Sequence, residues 1–167
     1  VYYYRLGVVL HSLGRLDQAA ENLHKAVALH GGFAAAHAAL GDVYMDLGRD
    51  EDAHRSYQRA AQLDPASPQN YDRLARLAYR QGRYGEAESG ILQALEMDPE
   101  PAVRYDELGQ VYMAESRTEE ALETLLAARQ RAPEEPLYAV HTAKAYVSLG
   151  RLSEAIAVLQ EAVQHSP

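Results

Sequence analysis

Cysteine is absent from the 167 residues. That excludes disulfides and thiolate metal sites and leaves the compartment open, cytoplasm or periplasm alike for a soluble chain. Long apolar runs are also missing. None approaches the ~20 residues that a spanning helix needs, so no membrane insertion is expected. Lysine is scarce, at Lys25 and Lys144 only, and the remaining cations are Arg. Sixteen basic residues face 24 acidic ones, a net charge of −8. A phosphate-backbone partner needs clustered Lys and Arg, so nucleic acid is an expected non-partner. Arg in place of Lys, together with abundant Ala, points to a GC-rich coding sequence and a bacterial source. Methionine is missing from the first position. The chain begins at Val1 inside a repeating pattern, and it is expected to be a segment of a longer protein.

Constellations that carry chemistry are missing as well. The histidines stand at 11, 24, 30, 37, 54, 141 and 165, and no two have the i, i+4 spacing of a helical zinc pair. Gly82, Gly85 and Gly90 are not followed by Gly-Lys-Ser/Thr, so they are no phosphate loop. No signature links a Ser or Asp to a base. The chain reads as a non-enzyme without a cofactor.

What the sequence does have is a beat of 34 residues. Gly14, Gly48, Gly82 and Gly150 fall on one lattice of that period. Ala19, Ala53, Ala87, Ala121 and Ala155 fall on a second, and Ala26, Ala60, Ala94, Ala128 and Ala162 on a third. Repeats of this length are stacked two-helix units, which bind partners rather than transform them. The beat divides the chain into units 1–33, 34–67, 68–101, 102–135 and 136–167 of one array.

Each unit predicts two helices of about 13 residues. In the second, Ala36, Leu40, Val43, Tyr44 and Leu47 share one helical face. Gly48 ends that helix in a left-handed cap. Ala53, Tyr57, Ala60, Ala61 and Leu63 form the next stripe, which Asp64-Pro65 stops. Ser67-Pro68 restarts the pattern with an N-cap residue and a Pro at the first helical position. The Ala ladders are expected where helices cross most closely. Leu6, Leu40, Leu74 and Leu108 fill one side of each joint, and Leu23, Tyr57, Ile91, Leu125 and Leu159 the other.

These residues resemble the tetratricopeptide repeat family over the full chain. The second unit carries Leu40-Gly41, Tyr44, Gly48, Ala53, Tyr57, Ala60 and Pro65, with His37 in an aromatic slot; the fourth carries Tyr105, Leu108-Gly109, Tyr112, Ala121, Leu125, Ala128 and Pro133. Departures are local. Ser116 replaces a turn glycine, Arg129 and Arg131 stand where apolar residues pack, Ala139 and Thr142 stand where bulk is expected, and Gly31-Gly32 replaces a terminal Pro. The resemblance implies an all-α fold, a right-handed superhelical solenoid of antiparallel helix pairs, whose first helices line a concave groove.

Mapped through the resemblance, that groove contains Tyr4 and Arg5, then Asp42 and Met45, then Arg73, Arg76, Tyr79 and Arg80, then Asp106, Gln110 and Met113, and finally Lys144. Arg73, Arg76 and Arg80 share one helical face and repel by a few tenths of a kcal/mol. Two readings answer the repulsion. Flanking acids, Asp42 and Asp46 on one side and Asp106 and Glu107 on the other, neutralise the stripe. Alternatively, an acidic side chain or free C-terminus of a bound peptide does so, held by guanidinium. Family members that grip the C-terminal Glu-Glu-Val-Asp of chaperones use a Lys/Asn clamp that is absent here, and the groove has no Asn ladder. The expected function is a protein-interaction scaffold binding a peptide or partner domain in the groove. The alternatives are a substrate-recruiting arm of a larger enzyme, or homotypic assembly through Leu152, Ile156, Leu159 and Val163, which have no capping helix after them.

Overall fold

In the computed structural model, which describes residues 1–165, ten α-helices account for the regular structure and the described residues contain no strand. They are α1 (Tyr2–Ser12), α2 (Leu16–Leu29), α3 (Ala34–Asp46), α4 (Asp50–Leu63), α5 (Pro68–Arg80), α6 (Tyr84–Met97), α7 (Ala102–Ala114), α8 (Thr118–Arg131), α9 (Pro136–Ser148) and α10 (Leu152–His165). The chain divides into two compact units, Val1–Gln81 with α1–α5 and Gly82–Pro167 with α6–α10. In the first, α1 packs on α2 and α3 on α4, and α2 and α4 carry the contacts to the next repeat; in the second, α7/α8 and α9/α10 do the same.

Turn chemistry sets the helix ends. Gly14, Gly48, Gly82 and Gly150 adopt φ of 70–72°, the left-handed conformation in which a Cβ is costly. The chain then folds back so that the next amide reaches the last turn. Arg15 N bonds Leu10 O at 2.9 Å, Arg49 N bonds Tyr44 O at 2.8 Å, and Arg151 N bonds Tyr146 O at 2.9 Å, the six-to-one bond of a Schellman ending. Ser116 takes the same conformation at φ 62°, and Arg117 N bonds Tyr112 O at 2.9 Å. The departure from glycine therefore leaves the turn intact. Pro68 opens α5 as expected, but Ser67 makes no side-chain cap; its hydroxyl donates to Gln69 Oε1 at 2.8 Å.

The Ala ladders are buried: Ala19, Ala53, Ala87 and Ala121 are fully enclosed, and Ala26, Ala60, Ala94 and Ala128 nearly or fully so. The tightest crossing, however, lies at glycines of the first helices. A Cβ on Gly41 would sit 2.4 Å from the Tyr57 ring, and on Gly7 or Gly109 within 2.6 Å of Leu23 or Leu125 respectively. The large residue of α2, α4 and α8 thus lies against bare backbone. Unit cores follow from this: Leu23, Leu40, Val43, Tyr44, Tyr57 and Leu77 in the first, Leu122, Leu125, Ala143, Tyr146 and Val158 in the second.

The unusual residues find local solutions. Ala139 lacks bulk, and its neighbour Tyr138 is buried beside it. Thr142 is fully buried, its hydroxyl donating to Tyr138 O at 2.7 Å, which satisfies the buried polar group. Arg131 stacks on Tyr105 at 3.8 Å and bonds its hydroxyl at 3.0 Å, and Arg129 pairs with Glu161. His37 is half-buried, its Nε2 3.2 Å from Gly31 O. Tyr71 makes the same reach to Pro65 O at 3.1 Å, one repeat later.

Candidate functional site

Because side chains three and four residues apart share a helical face, α1, α3 and α5 present one side of their repeats together. That side of the first unit carries a cavity of about 340 Å³ lined by His11, Asp42, Met45, Asp46, Tyr57, Gln69, Asp72, Arg73 and Arg76. Four of the sequence-predicted residues, Asp42, Met45, Arg73 and Arg76, meet here. Tyr4, Arg5, Tyr79 and Arg80 do not line it. Tyr4 instead packs edge-on against Phe33, with centroids 4.8 Å apart, and Arg5 is exposed.

Asp42 is the hub. Its carboxylate accepts from Arg73 Nε at 3.0 and 3.3 Å and from the Tyr57 hydroxyl at 2.9 Å. Tyr57 comes from the second helix of its pair and reaches through because Gly41 leaves it room. Burial, reinforced by the Asp42 charge, pushes the Tyr57 hydroxyl well above the usual phenol range. It therefore stays a donor at any ordinary pH. The sequence showed Tyr57 only as a core residue; the glycine facing it is the signal that its tip emerges in the cavity. Gln69 was also not anticipated.

The Arg stripe is resolved mainly by pairing within the chain, with partners differing in part from those expected. Arg73 takes Asp42, as one reading held. Arg80 pairs with Asp50, at the start of α4, and donates to Met45 O at 2.7 Å. Asp46 meets an imidazole: its Oδ2 lies 2.6 Å from His11 Nε2. The acids therefore tie α1 to α3 and α3 to α5, which holds the cavity's walls in register. Three carboxylates, two guanidiniums and one imidazole line it, a polar site that can exchange internal partners for those of a ligand.

In the second unit Asp106 is buried rather than open to a groove, at 3% exposure. His141 Nδ1 lies 2.7 Å from its Oδ1, and Gln110 donates to its Oδ2 at 2.7 Å. Asp106 and Gln110 thus form an internal network between α7 and α9. Met113 and Lys144 line a separate, largely apolar cavity of about 760 Å³, walled by α9 and α10. Among the described residues no cluster of three His, Asp or Glu is placed to hold a metal, and no helix is long and apolar enough to cross a membrane.

Three family models described as tetratricopeptide repeat match the chain, one at residues 1–29 and 68–101, one at 34–67 and one at 107–167. No curated protein matches. Among solved structures, PilF of Pseudomonas aeruginosa is 24% identical with a TM-score of 0.89, covering 99% of this chain and 76% of that one. MamA of Desulfovibrio magneticus, from residue 41 to its end, is 18% identical with a TM-score of 0.89, covering 98% and 93%. YrrB, described as a TPR protein with an unusual peptide-binding site, is 19% identical with a TM-score of 0.78, covering 99% and 85%. These likenesses establish the fold.

Proposed function

Since the chain belongs to the tetratricopeptide repeat family, we propose that it is a protein-interaction scaffold whose first unit binds a peptide or partner segment across α1, α3 and α5. The observation that carries this reading is the cavity around Asp42, Arg73 and Arg76. A solenoid core needs no charged cavity, whereas recognition of a peptide's polar groups does. Arg76 sits on that cavity's exposed rim. The ligand is a peptide with an acidic side chain or a free C-terminal carboxylate, which guanidinium groups hold by paired N–H donors. YrrB, of the same fold, supports peptide binding as the mode.

The test is capture on the immobilised chain of a library of short peptides, with free and with amidated C-termini. Retained peptides should carry acidic side chains or the free carboxylate. Arg76→Glu should lose them about tenfold or more, as expected for a charge-assisted contact worth ~1.5–3 kcal/mol, at unchanged far-UV helical signal. Retention indifferent to Arg76→Glu removes this cavity from the reading.

A further inference from the structure

A ligand carboxylate that enters the first unit's cavity meets Arg73 already engaged. Arg73 Nε donates to both oxygens of Asp42, and its Nη1 donates to Gln69 O at 3.3 Å. The Asp42 and Arg73 side chains are each 31% exposed, so the pair is mostly withdrawn from water. A carboxylate that recruits Arg73 therefore takes it from Asp42. Removing one partner of such a pair leaves the other as an uncompensated charge, which is strongly unfavourable. The cavity holds no surplus cation to make good the loss. Its three carboxylates, Asp42, Asp46 and Asp72, face two guanidiniums and the His11 imidazole, and His11 lies on Asp46. A ligand with acid alone adds a fourth carboxylate to that set.

Tyr57 keeps Asp42 in place whichever way Arg73 turns. The tyrosine is fully buried, and its hydroxyl donates to Asp42 Oδ1 at 2.9 Å. At the same position of the 34-residue lattice the other repeats have Leu23, Ile91, Leu125 and Leu159, none with a polar tip. Packing at this joint therefore needs no hydroxyl, and the one that is present serves Asp42. With Tyr57 as a fixed donor, the Asp42 carboxylate stays at the cavity wall when Arg73 leaves it. It is then an acceptor for a cation brought in by the ligand.

We propose, resting on the peptide-binding reading, that the ligand segment carries a basic side chain beside its carboxylate and binds by exchange of ion pairs. The ligand carboxylate takes Arg73 and Arg76, and the ligand's ammonium or guanidinium replaces Arg73 on Asp42. One internal pair is broken and two form across the interface, so no carboxylate is stranded. Asp42 is then the residue that selects a charge-paired segment over a purely acidic one.

Fluorescence anisotropy of labelled short peptides of one length, titrated with the whole chain, tests it. One series, blocked at both ends, holds glutamate alone, lysine alone, glutamate beside lysine, and neither. A second series replaces the glutamate by a free C-terminus, which separates the two sources of the carboxylate. In at least one series the peptide with both charges should bind about tenfold tighter than its acid-only match, as one added charge-assisted contact gives. Asp42→Asn can still accept from Tyr57. It should lose that preference and bind the acid-only peptide more tightly than the unaltered chain does. Arg76→Glu should lose both peptides. Equal binding of acid-only and paired peptides, with both lost in Arg76→Glu, keeps the peptide-binding reading and overturns the exchange. A preference for lysine that survives Asp42→Asn overturns it too. Binding indifferent to Arg76→Glu, or no binding in either series, removes the peptide-binding reading and the exchange with it. The peptide comparison uses the unaltered chain, so it decides even where Asp42→Asn loses helical signal.

Discussion

Ser116 is the residue at which the repeat departs from its own rule. Four turns use glycine at φ 70–72°, and this one holds a serine at φ 62°. A Cβ at Gly14, Gly48, Gly82 or Gly150 would meet nothing within 4 Å. The cost of a side chain there is therefore backbone strain and not collision, about 1–2 kcal/mol in the left-handed region. Replacing Ser116 by Gly relieves that strain but loosens the unfolded chain by about 0.4–1 kcal/mol. The net expectation is a gain of roughly 0.5–1 kcal/mol. It should appear in urea unfolding as a higher midpoint at unchanged slope. A midpoint that falls would mean that Ser116 contributes something the turn geometry does not show.

At the scale of the element, the starts of α4, α6, α8 and α10 share a tie. Arg49, Arg83, Arg117 and Arg151 occupy N-cap positions and pair three residues on with Asp52, Glu86, Glu120 and Glu154, at 2.6, 2.5, 2.6 and 2.9 Å. Arg49, Arg117 and Arg151 also cover the rings of Tyr44, Tyr112 and Tyr146, at 4.5, 4.1 and 4.7 Å. Each carboxylate lies in the first turn, where the helix dipole favours it. The hydrogen bond from Arg117 holds the Glu120 carboxyl below its usual 4.5, and Arg49 followed by Arg55 hold Asp52 below 3.8. A lowered folded-state pKa makes a contribution that is complete above the unfolded value and lost as pH falls through the folded one. Glu120→Gln should therefore be less stable than the unaltered chain at pH 6. The gap should narrow as pH falls below about 4.5 and shrink in high salt. Thermal melts of both chains from pH 6 to 3 read this directly, and a gap constant with pH would leave the tie without a role.

These ties also show what could be read from the sequence. Helix ends were legible because Gly and Pro restrict φ locally, whatever the surroundings. The Arg ties are legible too, since Arg49, Arg83, Arg117 and Arg151 fall on the same 34-residue lattice. Contacts between successive repeats were harder. Asn70 and Arg104 occupy equivalent positions, are buried, and donate to Asp64 O at 3.0 Å and Asp98 O at 2.6 Å. A polar residue there satisfies the carbonyls at the end of the preceding helix, which spacing alone does not reveal. Asp106 was placed on an open face by register, and His141 of the next repeat closes over it. Burial of that kind depends on the neighbour's side chain and not on the helix that bears the residue.

At the scale of the whole molecule, local connectivity governs stability. Within each unit, contacts run between consecutive helices and between the first helices of adjacent repeats, so each helix is held by what its neighbours bury and not by one shared centre. Protection should therefore vary along the chain. The helix α1 buries only Gly7 and Leu10, whereas α3, packed from both sides, buries Ala36, Ala38, Leu40, Gly41, Val43 and Tyr44. Opening α1 exposes little apolar surface and leaves α3 on α4, so its amides should exchange through local opening well before global unfolding. Native-state hydrogen exchange should show α1 opening at least an order of magnitude more readily than α3, a difference of ~1.4 kcal/mol or more. Equal protection of α1 and α3 in the dilute chain would mean that it unfolds as a single cooperative block, with the repeat no longer the unit of stability.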